Sequence, residues 1–173
     1  QNDDNRNYSY YKRVFVGALR AVDFITSLPQ YNGKALGVTG SSQGGALSMV
    51  TAALDKRVTF YAAIHPAMCD HRAHLQKVAG GWPHYFYYFP TPTPQRIQTA
   101  DYYDMVNFAR RITVPGWFSW GYNDDVCPPT STYAAYNSIT APKELHPYLE
   151  TGHYWYQEQY EQWSQWLWAQ MGL

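Results

Sequence analysis

The stretch that most constrains this chain is Lys34–Leu54, where KALGVTG passes through SSQGG into ALSMVTAAL. At its centre, Gly40-Ser41-Ser42-Gln43-Gly44 matches G-x-S-x-G, with Gly45 directly behind it. The apolar run before the motif reads as a buried strand and the alanine-rich run after it as a helix. Between them the chain has to turn sharply, and glycines at Gly40 and Gly44 remove Cβ atoms where backbones come close. Such a turn holds a serine under strain with its hydroxyl exposed. The helix then directs its N-terminal amides at that hydroxyl, where they suit the negative charge of an ester-cleavage intermediate. Ser42 is therefore a candidate nucleophile; the plainer alternative is a structural glycine turn.

Around this stretch the chain alternates helices and strands. From Tyr8 to Leu28, apolar residues recur at Tyr11, Val14, Phe15, Ala18, Leu19, Val22 and Ile25, one face of an amphipathic helix stopped by Pro29. Residues 35–40 form a short apolar strand of the kind found in a sheet covered on both faces. Gln43–Leu54 continues as helix and Val58–Ile64 as the next strand. Residues 66–107 lack a clean period and hold GWPHYFYYFPTPTP, which reads as loops and short helices. Val114–Trp120 is a third strand, followed by the polar turn GYNDD. Thr130–Ile139 reads as helix, Lys143–Glu150 as strand despite Pro147, and Trp155–Gln170 as a closing helix with Trp155, Gln159, Trp163, Trp166 and Leu167 near one face.

This alternation predicts an α/β fold, a mainly parallel sheet with helices on both faces and about four strands in this chain. The order begins with a helix, and the apolar strand before Ser42 lacks a candidate neighbour on one side. A bare apolar edge invites aggregation. Residues 1–173 are therefore expected to be the C-terminal part of a single larger domain. A separate or cleaved N-terminal segment would supply the remaining strands.

Composition narrows the partners. A length of 173 residues suits one domain, and 13 Lys plus Arg balance 13 Asp plus Glu, so there is no electrostatic case for nucleic acid or an anionic membrane. No run approaches transmembrane length, and the opening QNDDNRN lacks a signal-peptide pattern. Two cysteines, Cys69 and Cys127, do not make a disulfide framework, and whether they meet is left open. Aromatic residues are abundant, at 17 Tyr, 7 Trp and 7 Phe; they suit a core or interface, or rings that stack on sugars. The run Trp82–Phe89 fits a lid, a sugar platform or a subunit contact equally well.

A serine nucleophile needs a base, and the base an orienting acid. In the α/β-hydrolase arrangement these follow in the order Ser, Asp or Glu, His, at the ends of later strands. The strand Val114–Trp120 ends in Gly121-Tyr122-Asn123-Asp124-Asp125, which supplies an acid at Asp124 or Asp125; spacing does not choose between them. Thr151-Gly152-His153 follows the last strand and supplies a histidine. His146 lies inside that strand, a poorer place for a mobile base, and His65 ends the second strand, too early for the chain order. A rival site is Cys69-Asp70-His71-Arg72-Ala73-His74, a C-x-H-x-x-H cluster of possible zinc ligands without a second ligand pair. The cysteine reads more simply as a small buried hydrophobe.

The phrases GVTGSSQGG, CDHRA, DYYDMVNFA, SWGYNDDVCPP, TYAAYNSITAPKEL and the late Gly-His resemble the acetyl xylan esterase/cephalosporin-C deacetylase family, carbohydrate esterase family seven, of the α/β-hydrolase fold. The resemblance runs from about Tyr10 to the C-terminus. It implies a serine esterase that removes acetyl groups from short acetylated xylo-oligosaccharides, often also from cephalosporin C. It also implies Ser42 as nucleophile, Gln43 as an oxyanion-hole residue, Asp124 as the acid and His153 as the base. No metal or organic cofactor is implied. The family's second oxyanion donor belongs to a loop after an early strand, upstream of Gln1, and its members form homo-oligomers, hexameric rings among them. Cys69-Asp70-His71-Arg72-Ala73 departs from the family's Cys-Asp-Phe-Arg-Arg, as does the aromatic stretch after it. Many aromatics with few charges lean toward an exported, periplasmic or secreted, polysaccharide-degrading enzyme. The alternatives are a prolyl-oligopeptidase-like peptidase, which shares the elbow and the residue order, a non-catalytic sugar-binding or scaffold chain, and a metal protein built on Cys69, His71 and His74.

Overall fold

In the computed structural model, which describes residues 4–173, a four-stranded parallel sheet runs in the order β1-β2-β3-β4. The strands are β1 (Gly37–Ser41), β2 (Phe60–Ile64), β3 (Gly116–Gly121) and β4 (Lys143–Tyr148). The first three residues of the opening QNDDNRN lie outside the described residues. Helices α1 (Tyr10–Ser27), α2 (Gln43–Leu54), α3 (Tyr85–Tyr88), α4 (Pro94–Tyr102), α5 (Met105–Ala109), α6 (Pro129–Asn137) and α7 (Gln157–Met171) connect or cover the strands. Each expected strand and helix is present, with ends shifted by a few residues. The stretch 66–107 resolves into α3–α5 and a 3₁₀ turn at Ala73–Gln76.

The two faces of the sheet follow from side-chain alternation along the central strands. Tyr61 and Ala63 of β2, with Phe118 and Trp120 of β3, point into the larger core, where Ala46, Met49 and Val50 of α2 and Tyr11 and Phe15 of α1 meet them. Ala62, Ile64 and Trp117 point the other way, against Trp155, Trp163, Trp166 and Leu167 at α7. Helix α2 is buried on nearly every side, from Gly45 through Ala52 apart from Leu47, which is why its sequence lacks a polar face. Helix α1 buries only Tyr11, Phe15 and Val22 of its predicted stripe; Ile25, at 43% exposed, does not join the core. Its start is set by Ser9, whose hydroxyl accepts the amide of Tyr11, and its C-cap at Leu28 precedes Pro29.

Cover on both faces, expected for the strand before Ser42, holds for β2 and β3, which are wholly buried, but not for β1. That strand lies at the sheet edge with Gly37 and Thr39 exposed, and among the described residues it pairs only with β2. Trp163 of α7 donates its indole N–H to Thr39 at 2.9 Å and covers part of that face. Gln159 is the one polar residue deep in the α7 contact. Its amide donates to Ser119 Oγ at 2.7 Å, and Ser119 in turn donates to the His146 carbonyl at 2.6 Å, so these two buried polar side chains are paired.

Because all four strands are parallel, their carboxyl ends share one edge of the sheet, where α/β folds bind ligands. At that edge β3 meets the loop after β4 with no room for a side chain. A methyl group on Gly121 would lie 2.1 Å from the Thr151 carbonyl oxygen, and Thr151 O also accepts the Asn123 amide at 2.9 Å. Gly121→Ala is therefore expected to destabilise the protein by about 1–3 kcal/mol and to lower activity by displacing the loop that follows. Urea unfolding and turnover of the variant check both.

Candidate active site

Ser42 stands between β1 and α2 with φ 55° and ψ −119°, a conformation that side-chain-bearing residues seldom adopt. Several contacts hold it there. Its N–H donates to the Ile64 carbonyl at 2.9 Å, and its own carbonyl accepts from Ala46 and Ala67. A methyl group on Gly40 would sit 2.4 Å from the Gly44 carbonyl carbon, and one on Gly45 would be 3.0 Å from the Ile64 carbonyl oxygen. At Gly44 a methyl meets nothing within 4 Å. The crowding expected at Gly44 thus falls on Gly45, whose side of α2 faces the end of β2. Gln43 opens α2, so its amide is one of the first-turn donors that a helix leaves without an internal partner, at the positive end of the helix dipole.

The acid comes from the turn after β3. Asp124 is 3% exposed, whereas Asp125 is exposed. One Asp124 oxygen accepts the amides of Val126 at 2.9 Å and Cys127 at 2.8 Å, and the other lies 2.8 Å from His153 Nδ1. A carboxylate only accepts, so His153 carries its proton on Nδ1 and leaves Nε2 as an acceptor. That Nε2 lies 2.9 Å from Ser42 Oγ. Ser42, His153 and Asp124 therefore form a continuous relay across three chain segments, with the acid buried and the histidine partly open, its side chain 22% exposed.

A profile of the family described as acetyl xylan esterase (AXE1) matches residues 2–170. The chain belongs to the acetyl xylan esterase family. It is 55% identical over 142 residues to the acetyl esterase Axe7A of Xylanibacter ruminicola, an alignment that covers 82% of this chain and 32% of that protein. Among solved structures it superposes on the acetyl xylan esterase from Paenibacillus sp. R4 with a TM-score of 0.87 and 29% identity, over 96% of this chain and 55% of that one. Acetyl xylan esterase 1 from Thermoanaerobacterium sp. JW/SL YS485 gives 0.85 and 27%, over 97% and 56% respectively. The chain spans about a third of the length of the curated relative and about half that of the two solved esterases. The α/β-hydrolase fold expected from the sequence is the fold these esterases share with it.

The other titratable residues of this family member fall into different places. His146 stacks on Trp117 at 5.2 Å and reaches Glu144, within the sheet rather than at its carboxyl edge. Cys69, His71 and His74 do not converge. Cys69 donates to the Pro66 and Ala67 carbonyls, His71 packs on Tyr85, and His74 lies against His84. Cys69 and Cys127 are both buried and free. Burial, then the nearby Asp124 charge, pushes the Cys127 thiol up to about 12, so it stays protonated beside the relay. Among the described residues, the one His/Cys/Asp/Glu trio with ligand atoms close enough to share a cation is His65, Asp124 and His153, all within 4.8 Å. Both His153 nitrogens and one His65 nitrogen are already engaged in hydrogen bonds.

His65 is the residue that chain-order reasoning set aside. It is 2% exposed, its Nε2 lies 2.6 Å from Ser41 Oγ, and its ring centroid is 4.3 Å from that of His153. The available signal was position: a residue directly after a parallel strand lands at the edge where the other strands end. Burial, then the proximity of His153, lowers the His65 pKa from 6.5 to about 4. Between these values the unfolded chain binds a proton at this site that the folded chain excludes. Stability from this group is therefore whole above about pH 6.5 and falls as pH drops toward 4, by about 3 kcal/mol at most. Urea midpoints measured from pH 7 to pH 4 are expected to fall less steeply in His65→Gln than in the parent protein.

Proposed function

We propose that this chain carries the nucleophile, base and acid of a serine carboxylic-ester hydrolase. Its substrates are acetylated xylo-oligosaccharides or related small acetyl esters, cephalosporin C among them. The observation that carries the reading is the unbroken relay from Ser42 Oγ through His153 to a buried Asp124, in a chain 55% identical to an acetyl esterase. His153 Nε2 takes the Ser42 proton as Oγ attacks the acetyl carbonyl carbon, and Asp124 stabilises the imidazolium that forms. The tetrahedral oxyanion is held by the Gln43 amide at the start of α2. When the intermediate collapses, the sugar oxygen leaves with the proton from His153, and the acetyl group stays on Ser42. Water then attacks the acetyl-enzyme as His153 takes its proton; acetate departs and the proton returns to Ser42.

We infer further that these residues are the C-terminal part of one α/β-hydrolase domain. A preceding segment, on the same polypeptide or cleaved from it, adds strands beside β1 and brings the second oxyanion donor. Two observations support this: the half-exposed β1 edge and the greater length of the esterases that the chain superposes on.

In the complete gene product, Ser42→Ala is expected to lower acetate release from acetylated xylan by at least about 10⁴-fold, and Asp124→Asn by roughly 10³–10⁴-fold. The 173-residue chain by itself is expected to be far less active than the complete product. A Ser42→Ala enzyme with most of its rate would overturn the assignment. Hydrolysis of dipeptide amides without acetyl esters would favour the peptidase alternative.

A further inference from the structure

Two adjacent serines at the elbow each meet a histidine. Ser42 Oγ is 2.9 Å from His153 Nε2, and Ser41 Oγ is 2.6 Å from His65 Nε2. The two imidazole rings lie against one another, with centroids 4.3 Å apart and planes inclined at 48°. The proton relay uses the first pair and leaves the second without a task. Yet the second is built with care: His65 sits in the left-handed backbone region at φ 31°, a strain that persists only where its surroundings enforce it. That turn, with the His65 N–H donating to the Ser119 carbonyl at 2.7 Å, brings its ring back over the elbow instead of onward along β2.

His153 needs such a neighbour. It lies in the irregular loop between β4 and α7, so no ladder or helical hydrogen bond fixes its backbone. Its two nitrogens define a line from Asp124 to Ser42, and rotation of the ring plane about that line is left to packing. His65 supplies the packing surface. Behind it, Trp155 meets His65 edge-on at 6.3 Å and is itself braced by Trp163 of α7 at 5.7 Å.

We propose that His65, locked by the Ser41 hydroxyl, is a positioning residue that sets the ring plane of His153 between Asp124 and Ser42. The proposal rests on the esterase reading above, in which His153 is the base. A neutral ring is what this place requires, since a second cation would oppose the imidazolium that forms on His153. Burial, with the nearby His153, lowers the His65 pKa to about 4 and keeps its ring neutral above that pH. Misplacing a reacting group by about 1 Å costs on the order of 10²-fold in rate, so loss of this wall acts on turnover rather than on substrate capture.

The test separates ring, hydrogen bond and simple folding, using the complete gene product with p-nitrophenyl acetate. His65→Ala is expected to lower kcat by about 10–100-fold, with KM within about twofold. His65→Phe keeps a flat ring without the bond to Ser41, and His65→Gln keeps a hydrogen-bonding group without the ring. Each is expected to recover part of the lost kcat. Ser41→Ala is expected to lower kcat, and Ser41→Ala combined with His65→Ala to be no worse than His65→Ala alone, since both remove one device. If His65→Ala does not fold, the Phe and Gln variants carry the test. Parental kcat in both of them, or a change confined to KM in any His65 variant, would overturn the inference. Ser42→Ala run alongside keeps the two claims apart: its inactivity with fully active His65 variants defeats only the positioning role, whereas its activity defeats the esterase reading itself.

Discussion

A backbone conformation that an L-residue adopts only under constraint, φ 55° at Ser42, is what the rest of this site depends on. Such a residue costs about 1–3 kcal/mol, and it persists because its surroundings leave no alternative. The missing side chain of Gly40 lets α2 close onto β1, and the missing side chain of Gly45 lets it close onto the end of β2. The Ser42 N–H and carbonyl are tied to Ile64, Ala46 and Ala67. Relaxing the turn would break these bonds and swing Oγ away from His153. The strain and the placement of Oγ beside His153 therefore share one cause.

The parallel sheet turns that local device into a site. Four strands with a common direction deliver Ser42, His65, Asp124 and His153 to one edge from four separate stretches of sequence. Two aromatic layers pack on the sheet beneath them, one with α1 and α2, the other with α7. The Gly121–Thr151 contact fixes the turn bearing Asp124 to the loop bearing His153. The relay distances follow from sheet geometry and not from long flexible side chains.

Much of this was legible in the residues. The elbow, the alternation of strand and helix, and the acid and histidine after later strands each have local signals: glycine spacing, apolar period and turn chemistry. The acid between Asp124 and Asp125 was not decided by spacing, because both suit a turn; burial and the Val126 and Cys127 amides distinguish them in space. The motif spacing points to Gly44 as a crowded glycine, but the crowding belongs to Gly45, since only the packing of α2 on β2 reveals which glycine faces a backbone. Chain order gives His65 no place, because it does not register which strand ends are neighbours. The edge position of β1 is legible from the strand order, which leaves it without a neighbour on one side, but not from its own residues, which read like those of the fully buried β2.

Membership of the acetyl xylan esterase family and the relay geometry point to the same covalent chemistry, and that chemistry leaves a trace on one atom. The most direct measurement is rapid acid quenching of the complete gene product during turnover of an acetyl ester, followed by digestion and mass-spectrometric mapping of the elbow peptide. The account predicts an acetyl group on Ser42, absent in Ser42→Ala. An acetyl group on the neighbouring Ser41, or turnover that persists in Ser42→Ala, would contradict it.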